Sequence, residues 1–370
     1  MAGDQLFDLT LTEEQRITRE SMRRFAQAEI RSIAKKADLE QALPPGFLKK
    51  AAELGLALLP IPEDFGGAGM ARSPVSNVLN AEDLAHGDFA IALATLTPQA
   101  FVNTLIDQGS KAQQEKYLSQ LASEDFVPAT IALQEPRATF VPEQLQVKAV
   151  RQGNEYVLNG VKSMVILGAS AKLVLVVADA GAEGPQAFIV EQGAAGAGWA
   201  KEEYMGLKPV EVSRLTLDNV KVPASARLGE SEKVFSLQRL VDLSRLGTCA
   251  LAVGTCQAVL DYVVPYVNER IAFGEPISHR QAVAFMVANI AIELDAMRML
   301  VLRAASRAEQ GLDFHKETYL ARVLCAEKSM EIGTNGVQLL GGHGFTREHP
   351  VEQWYRNLRA VAVLEGAAAV

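Results

Sequence analysis

Three groups of residues have types and spacing that could support chemistry or ligand binding. The first is Glu365, which follows the apolar run 361–364 and precedes Gly366. A carboxylate can remove a proton from a weakly acidic C–H bond only where its surroundings raise its pKa, and an apolar setting has that effect. Gly366 would let a ligand approach closely. Considered without any other motif, Glu365 is better explained as a solvated residue near a frayed terminus.

The other two groups are an arginine and a set of glycines. Arg270 carries a guanidinium, whose planar pair of donors suits phosphate oxygens. Gln338 precedes Gly341, Gly342 and Gly344, whose backbone N–H groups could pack closely on a ligand. Each group alone has an ordinary explanation, namely a surface arginine at a helix end and glycines that terminate a helix.

The cysteines and histidines show no metal-binding pattern. Cys249, Cys256 and Cys325 are widely spaced within apolar runs, and the five histidines are scattered. The close ligand spacing of a zinc site is therefore missing. We expect reduced core cysteines, no bound metal and a structural role for His343.

The composition is that of an ordinary globular protein. The chain has 370 residues, of which 49% are hydrophobic and 22% charged, and this length favours two or three domains. The net charge of -8 argues against general nucleic-acid binding, which needs a positive surface. The N-terminal segment lacks a basic stretch followed by an apolar run, and we expect no window to approach the roughly 20 apolar residues of a membrane span. We expect a cytoplasmic protein without a membrane span.

Helical patterns occupy the first and last thirds of the sequence. Apolar residues recur there every three or four positions, which is the spacing of one helix face. The predicted helical segments are 11–30, 46–59, 75–106, 113–121, 241–266, 280–310 and 316–340.

The middle of the sequence has the pattern of strands. From residue 126 to about 222 the apolar runs are short, rich in Val, Ile and Leu, and separated by turn residues. We interpret Asn159-Gly160 as a hairpin turn, because both residues tolerate positive φ. The pattern predicts an α-helical domain over 1–125, a β-barrel or β-sandwich domain over 126–230 and an α-helical bundle over 231–370.

Several motifs, in this order, resemble the acyl-CoA dehydrogenase family over nearly the whole chain. They include AAELGLALLPIPEDFGGAGM, ALQEP, YVLNGVKS, NERIAFGEPI, QLLGGHGF and WYRNLRAVAVLEG. The resemblance implies an acyl-CoA dehydrogenase-like α+β fold whose C-terminal domain is a four-helix bundle. It also implies FAD bound between the β domain and the C-terminal helices, with a neighbouring subunit of a homodimer or homotetramer completing the site.

The resemblance implies a reaction of fatty acid β-oxidation. A base removes the proton α to the thioester of an acyl-CoA, and hydride leaves the β carbon for flavin N5, which gives a trans-2-enoyl-CoA. The electrons then pass to an electron-transferring flavoprotein.

Residue roles also follow from the resemblance. Glu365 stands at the place of the family's base, in Leu364-Glu365-Gly366 where relatives have Tyr-Glu-Gly. Some relatives carry the base where this chain has Ser244, which cannot serve. The implied cofactor-binding residues on the adenosine side of FAD are Arg270, Phe273, Gln338, Gly341 and Gly342, and the implied substrate-binding residues are Asp242, Arg245 and Gly366. Asp242 and Arg245 could equally form an intrahelical polar pair.

The residues expected beside the flavin ring depart from the family pattern. Gln134 replaces the threonine of a Thr-Glu-Pro loop, Phe140 replaces a serine, and Met164-Val165-Ile166 replaces Trp-Ile-Thr. Losing these donors should alter the redox potential, the ring placement or the retention of FAD. Gln134, Met164 and Ile166 remain the ring-side candidates.

Three hypotheses account for this departure. The protein is an acyl-CoA dehydrogenase with a changed flavin environment, a non-catalytic or FAD-sharing subunit of a hetero-oligomer, or a related flavoprotein acting on another substrate. The retained Glu365 favours catalysis.

Overall fold

A computed structural model describes residues 10–123, 125–137 and 139–370. The first nine residues, on which part of the expectation about the N-terminus depends, lie outside this description. The chain forms two compact units. One, the helical unit, comprises the chain up to Lys35 together with Ser73–Ala92 and Cys249–Ala362, and the other, the sheet unit, comprises Lys36–Arg72, Leu93–Thr248 and Val363–Val370. The predicted domain boundaries near residues 125 and 230 remain predictions.

Helices fill most of the first and last thirds of the described chain, as predicted. Thr12 caps the first of them by accepting a hydrogen bond from the backbone N of Gln15 at 3.2 Å, and a π-helical turn over Ala26–Arg31 follows it. The α-helices are α1 Glu13–Phe25, α2 Ser32–Glu40, α3 Phe47–Ala52, α4 Pro74–Ala85, α5 Phe89–Gln108, α6 Lys111–Leu121, α7 Leu237–Glu269, α8 Gln281–Glu309, α9 His315–Leu339 and α10 Val351–Leu358.

Two of the predicted helices differ in extent from those observed. The helix predicted over 46–59 is only α3, which is followed by Gly55 at φ +70°, a left-handed conformation that ends a helix. The helix predicted over 75–106 is divided into α4 and α5. Asp88 starts the second of these, because its carboxylate accepts a hydrogen bond from the backbone N of Ile91 at 3.0 Å.

The sheet unit contains one seven-stranded mixed sheet in the order β1-β4-β2-β3-β7-β6, with β5 paired to β4. Its apolar core includes Tyr156, Leu158, Phe188 and Leu217. The strands are β1 Ala129–Ala132, β2 Lys148–Gln152, β3 Glu155–Ile166, β4 Leu173–Asp179, β5 Pro185–Glu191, β6 Ala197–Lys201 and β7 Val212–Pro223. The helical unit adds a two-stranded ribbon of β8 Ile271–Ala272 and β9 Glu275–Pro276.

The hairpin turn predicted at Asn159-Gly160 is wrong. Both residues lie inside the continuous strand β3, and the register against β7 shifts at this point, which is the signature of a β-bulge. Gly160 has φ +137°, and a Cβ there would lie 2.8 Å from Cγ2 of Val147. Close packing against Val147, the residue just before β2, therefore explains the glycine. The turn between β2 and β3 is formed instead at Gly153, which has φ +62°.

Two helices are more apolar than the sequence prediction allowed. By length and composition α5 and α7 are each able to cross a membrane, with window hydropathies of 1.5 and 1.4. However, 89% and 72% of these windows are buried inside the protein, as is typical of core helices. The prediction that no window is so apolar is therefore wrong. As predicted, Cys249, Cys256 and Cys325 are buried free thiols.

Candidate active site

Glu365 lies in the sheet unit, in a non-helical segment after the last helix. Its side chain is only 10% exposed and forms an ion pair with Arg245 of α7. The Arg245 Nε atom lies 3.1 and 3.0 Å from the two carboxylate oxygens. The explanation of Glu365 as a solvated residue near a frayed terminus is therefore wrong.

The backbone around Glu365 is also fixed. Its N–H donates to Oε1 of Gln134 at 3.2 Å. Gly366 has φ +84°, and a Cβ there would lie 2.6 Å from Cβ of Leu133. The residue that approaches Gly366 closely is thus Leu133. The close approach of a ligand to Gly366 stays a prediction.

The apolar run before Glu365 does not enclose it as expected. Val361 and Leu364 are fully buried, whereas Ala362 and Val363 are exposed. The run begins in a 3-10 helical turn over Arg359–Ala362, and its two middle residues face outward. A direct neighbour of the Glu365 carboxylate is the guanidinium of Arg245.

The four residues after Gly366 are buried in the sheet unit, each no more than 6% exposed. Gly247 of α7 permits this, since a Cβ there would lie 1.8 Å from the carbonyl oxygen of Ala368. Arg72 donates from Nη2 to the carbonyl of Val370 at 2.9 Å. The segment that carries Glu365 is therefore anchored on both sides of the carboxylate.

The other substrate-side candidate, Asp242, is 3% exposed. Its carboxylate accepts a hydrogen bond from Nε2 of Gln238, one turn earlier in α7, at 3.0 Å. Asp242 thus takes part in an intrahelical polar pair, although with Gln238 and not with the predicted partner Arg245. Ser244, which lies between Asp242 and Arg245 in α7, is fully buried.

A buried ion pair lies next to Gln134. The Lys162 Nζ atom donates to the carbonyl of Leu133 at 2.8 Å and to Oε1 of Glu135 at 3.0 Å, and both charged side chains are at most 1% exposed. Burial lowers the pKa of Lys162 to about 8. Burial opposes ionisation of Glu135, but the charge of Lys162 and two backbone N–H groups outweigh it, so that the pKa of Glu135 is lowered.

Met164 is held by a second carboxylate. It has φ +53°, and its N–H donates to Glu202 at 2.8 Å, while the Ser163 hydroxyl donates to the same carboxylate at 2.9 Å. Burial works against ionisation of Glu202, yet the hydrogen bonds from Met164, Tyr204, Ser163 and Arg214 prevail and lower its pKa. The backbone donor of Met164 is therefore already occupied.

The remaining ring-side residues offer little to a ligand. Ile166 is fully buried, so a contact with a cofactor would require β3 to move, and its assignment stays a prediction. Phe140 is partly buried, and the guanidinium of Arg137 lies 5.6 Å from its ring centre.

The adenosine-side residues meet at a cavity of about 1010 Å³ in the helical unit. Arg270 and Gln338 are exposed, and no described side chain pairs with either. Phe273 is 95% exposed. Nothing lies within 4 Å of a Cβ built on Gly341 or Gly342, so the backbone there faces open space. His343, also at this cavity, bonds through Nδ1 to the Tyr266 hydroxyl at 2.8 Å.

Comparison with known proteins identifies the family. The acyl-CoA dehydrogenase N-terminal, middle and C-terminal domains match residues 12–125, 130–220 and 236–370. The chain is 32% identical over 375 residues to "Acryloyl-CoA reductase (NADH)" of Anaerotignum propionicum, covering 98% of this chain and 93% of the relative. It is 32% identical over 367 residues to the "Caffeyl-CoA reductase-Etf complex subunit CarC" of Acetobacterium woodii, covering 97% and 96%.

A solved structure agrees with these relatives. Butyryl-CoA dehydrogenase from Megasphaera elsdenii superimposes with a TM-score of 0.88 at 28% identity, covering 96% of this chain and 95% of that chain. The domain order and the fold define a flavin-dependent oxidoreductase. The chain belongs to the acyl-CoA dehydrogenase family, whose cofactor is FAD, as the sequence motifs implied.

The adenosine-side residues fit one half of this cofactor. An exposed guanidinium, an amide and two glycine backbones at a largely apolar cavity match a pyrophosphate and an adenosine. Arg270, Gln338, Gly341 and Gly342 would hold that half. The sequence analysis did not identify Lys162, which holds the loop of Gln134, or Glu202, which holds Met164 of β3. Lys162 carried a signal, since it is a charged residue in an apolar strand, whereas Glu202 carried none.

Proposed function

We propose that this protein catalyses the α,β-dehydrogenation of an acyl-CoA thioester to the trans-2-enoyl-CoA, with Glu365 as the base. The placement of Glu365 carries the proposal. Its carboxylate is 10% exposed and oriented by Arg245, and its backbone is held by Gln134. Holding a base in one geometry is a large part of what makes proton abstraction from carbon fast. FAD, when bound, supplies the acceptor for the hydride.

The ion pair with Arg245 is compatible with this role. A carboxylate offers about four lone-pair sites, more than Nε of Arg245 uses. Arg245 therefore restricts where the carboxylate points and uses only part of its capacity to accept hydrogen bonds. Arg245 and Gly366 are the residues nearest to Glu365 that we assign to the substrate side, whereas the buried Asp242 would support α7.

The reverse reaction is a second candidate. Three relatives of about one-third identity are named as reductases, and the name of one of them places it in a complex with Etf. Proton transfer obeys microscopic reversibility, so Glu365 would return the proton to the α carbon in an enoyl-CoA reduction. We propose an electron-transferring flavoprotein as the redox partner in either direction, and fatty acid β-oxidation as the setting of the forward reaction.

We also propose that the protein is a cytoplasmic homodimer or homotetramer. Exposed apolar side chains lie along α8 and α9 within the helical unit, and such patches often mark subunit contacts. They are Phe285, Ile292, Met299, Tyr319, Leu320 and Val323. A hetero-oligomer that shares FAD sites is the alternative, supported by the internally paired polar groups around Met164. Analytical ultracentrifugation with and without a co-expressed homologue distinguishes the two.

The test is an anaerobic titration of the purified protein with acyl-CoA thioesters of different chain length, following flavin absorbance. The wild type should be yellow and should bleach. The Glu365→Gln variant should keep its colour, with bleaching slowed by about 10²- to 10⁴-fold. Glu203→Gln is the matched control, because Glu203 is an exposed carboxylate of the same unit, 79% exposed.

Each contrary outcome has a defined meaning. Bleaching of Glu365→Gln at the wild-type rate would exclude Glu365 as the base. Flavin bound only after co-expression with a homologue would favour the FAD-sharing subunit, and colourless protein without thioester affinity would favour a non-catalytic one. Oxidation of reduced flavin by enoyl-CoA without bleaching by any acyl-CoA would favour the reductase.

A further inference from the structure

Gln134 makes a contact that its predicted role does not explain. Its side chain accepts a hydrogen bond from the backbone N–H of Glu365 at 3.2 Å. A backbone N–H only donates, so the amide atom that faces it must be the oxygen. The two residues are 231 positions apart in the chain, and this bond joins the loop after β1 to the segment of the candidate base.

The loop that carries Gln134 is fixed independently of Glu365. Lys162 binds the residue on either side of Gln134, through the carbonyl of Leu133 and the carboxylate of Glu135. The backbone N–H of Ser163 donates to the carbonyl of Gln134 itself at 2.9 Å. Glu135 in turn accepts from the N–H groups that precede β2. Gln134 thus stands on a rigid part of the sheet unit.

The segment of Glu365, by contrast, has no regular structure. Residues 364–367 are neither helix nor strand, so no repeating backbone pattern fixes the direction in which the Glu365 side chain leaves the main chain. Gly366 contributes through its contact with Leu133, which is the neighbour of Gln134. The loop 133–135 therefore contacts the base segment at two consecutive residues.

We propose that Gln134 is a positioning residue that fixes the backbone of Glu365 and thereby aims its carboxylate. The reach of this contact depends on glutamine, because a threonine carries its oxygen two atoms closer to the main chain. The inference rests on the proposed role of Glu365 as the base. It assigns to Gln134 a function in placing a protein group, in addition to any contact with the cofactor.

The first test measures the hydrogen bond without any reaction. Hydrogen exchange of the Glu365 amide is compared by mass spectrometry in the wild type, Gln134→Met and Gln134→Glu. Methionine keeps the length but has no acceptor oxygen, so exchange of this amide should be faster by about fivefold or more. Glutamate keeps an acceptor and should retain protection. The control is Gln152→Met, which makes the same change at an exposed glutamine of β2.

The second test measures proton abstraction. The holoenzyme is incubated in D₂O with the acyl-CoA that bleaches the wild type fastest, and deuterium incorporation at the α carbon is followed without an electron acceptor. Gln134→Met should lower the exchange rate by about 10- to 100-fold, because a displaced base loses its alignment. KM and the unfolding midpoint should stay near the wild-type values, whereas a merely structural residue would shift the midpoint.

The two proposals fail in different ways. If the wild type and Glu365→Gln exchange the α proton at the same rate, the proposed base is wrong. If Glu365→Gln abolishes exchange but Gln134→Met behaves like the wild type in both tests, the base stands and the positioning role of Gln134 is wrong. Faster exchange over the whole sheet unit in Gln134→Met would also overturn that role, since it would indicate general loosening.

Discussion

The surroundings of Glu365 and the Arg270 cavity satisfy their polar groups in opposite ways. Around Glu365 the carboxylate, the backbone N–H and the nearby charges of Glu135 and Lys162 all bond within the sheet unit. At the cavity of the helical unit, Arg270 and Gln338 are exposed, and no described side chain pairs with them. The comparison teaches that one region is built for fixed geometry and the other for binding. Preorganised polar groups favour catalysis because they need no rearrangement during the reaction.

The strongest way to break the geometry of the first region is to remove one member of its buried ion pair. Lys162→Met should lower the free energy of unfolding by about 3–5 kcal/mol, because it leaves the buried Glu135 with only the longer ion pair to Arg137 at 3.5 Å. Chemical denaturation followed by circular dichroism measures this change. Lys148→Met is the control, since Lys148 pairs with Asp179 at 2.6 Å but is 54% exposed. Lys148→Met should lower the free energy of unfolding by less than about 1 kcal/mol. Equal losses in the two variants would contradict the prediction that the buried ion pair matters more than the exposed one.

The binding character of the second region is tested at Arg270. Arg270→Gln should weaken FAD binding by about 10- to 100-fold, equivalent to about 1.5–3 kcal/mol for a hydrogen bond to a charged group. The unfolding free energy of the apoprotein should not change, because no described side chain pairs with the guanidinium. Titration of apoprotein with FAD, followed by flavin fluorescence, measures the affinity. Arg24→Gln, on the exposed face of α1, should bind FAD like the wild type.

A third change tests how firmly the end of the chain is held in the sheet unit. Gly247→Ala places a Cβ 1.8 Å from the carbonyl oxygen of Ala368, so the segment 367–370 must shift. We expect a loss of about 1–3 kcal/mol of unfolding free energy together with slower flavin bleaching by acyl-CoA. Normal bleaching in a destabilised variant would show that Glu365 does not depend on this segment.

The smallest expected effect concerns the pH dependence of stability. The folded pKa of Glu202 is lowered, so its stabilising contribution is present above the unfolded pKa and is lost as the pH falls through the folded value. Below pH ~4.5 the unfolding free energy of the wild type should fall, and Glu202→Gln should reduce that slope by at most about 1.4 kcal/mol per pH unit. Denaturation curves between pH 3 and 6 measure the slopes. Parallel slopes would mean that Glu202 does not contribute.

The sequence predicted those parts of the fold that depend on local patterns. The helical spacing of apolar residues located the long helices, including α5 and α7, whose apolar windows are mostly buried. It failed where a distant contact decides the structure. At Gly160 the glycine is required by Val147, the residue just before the neighbouring strand β2, and no local signal separates that requirement from a turn. The division between α4 and α5 depends on Asp88, which caps the start of α5. A single aspartate within a long apolar stretch is only a weak signal that a helix ends and another begins.

The candidate site was predictable as a set of positions and not as a set of contacts. Motif order indicated Glu365, Arg270 and Gln338. The partners of Glu365 were not predictable, because Arg245 is 120 residues away and its motif gave no direction for the guanidinium. The apolar run before Glu365 suggested an apolar environment, but Ala362 and Val363 of that run are exposed. Local composition therefore does not define the surroundings of such a residue.

The order in which the chain is made gives the contact between Gln134 and Glu365 a further meaning. Two side chains that bond directly to Glu365, those of Arg245 and Gln134, are synthesised 120 and 231 residues earlier. Domains tend to fold from the N-terminus while the ribosome is still translating. A nascent chain would thus contain both of these partners before it contains Glu365, so the elements that carry the partners could be in place when the bonds to Glu365 form.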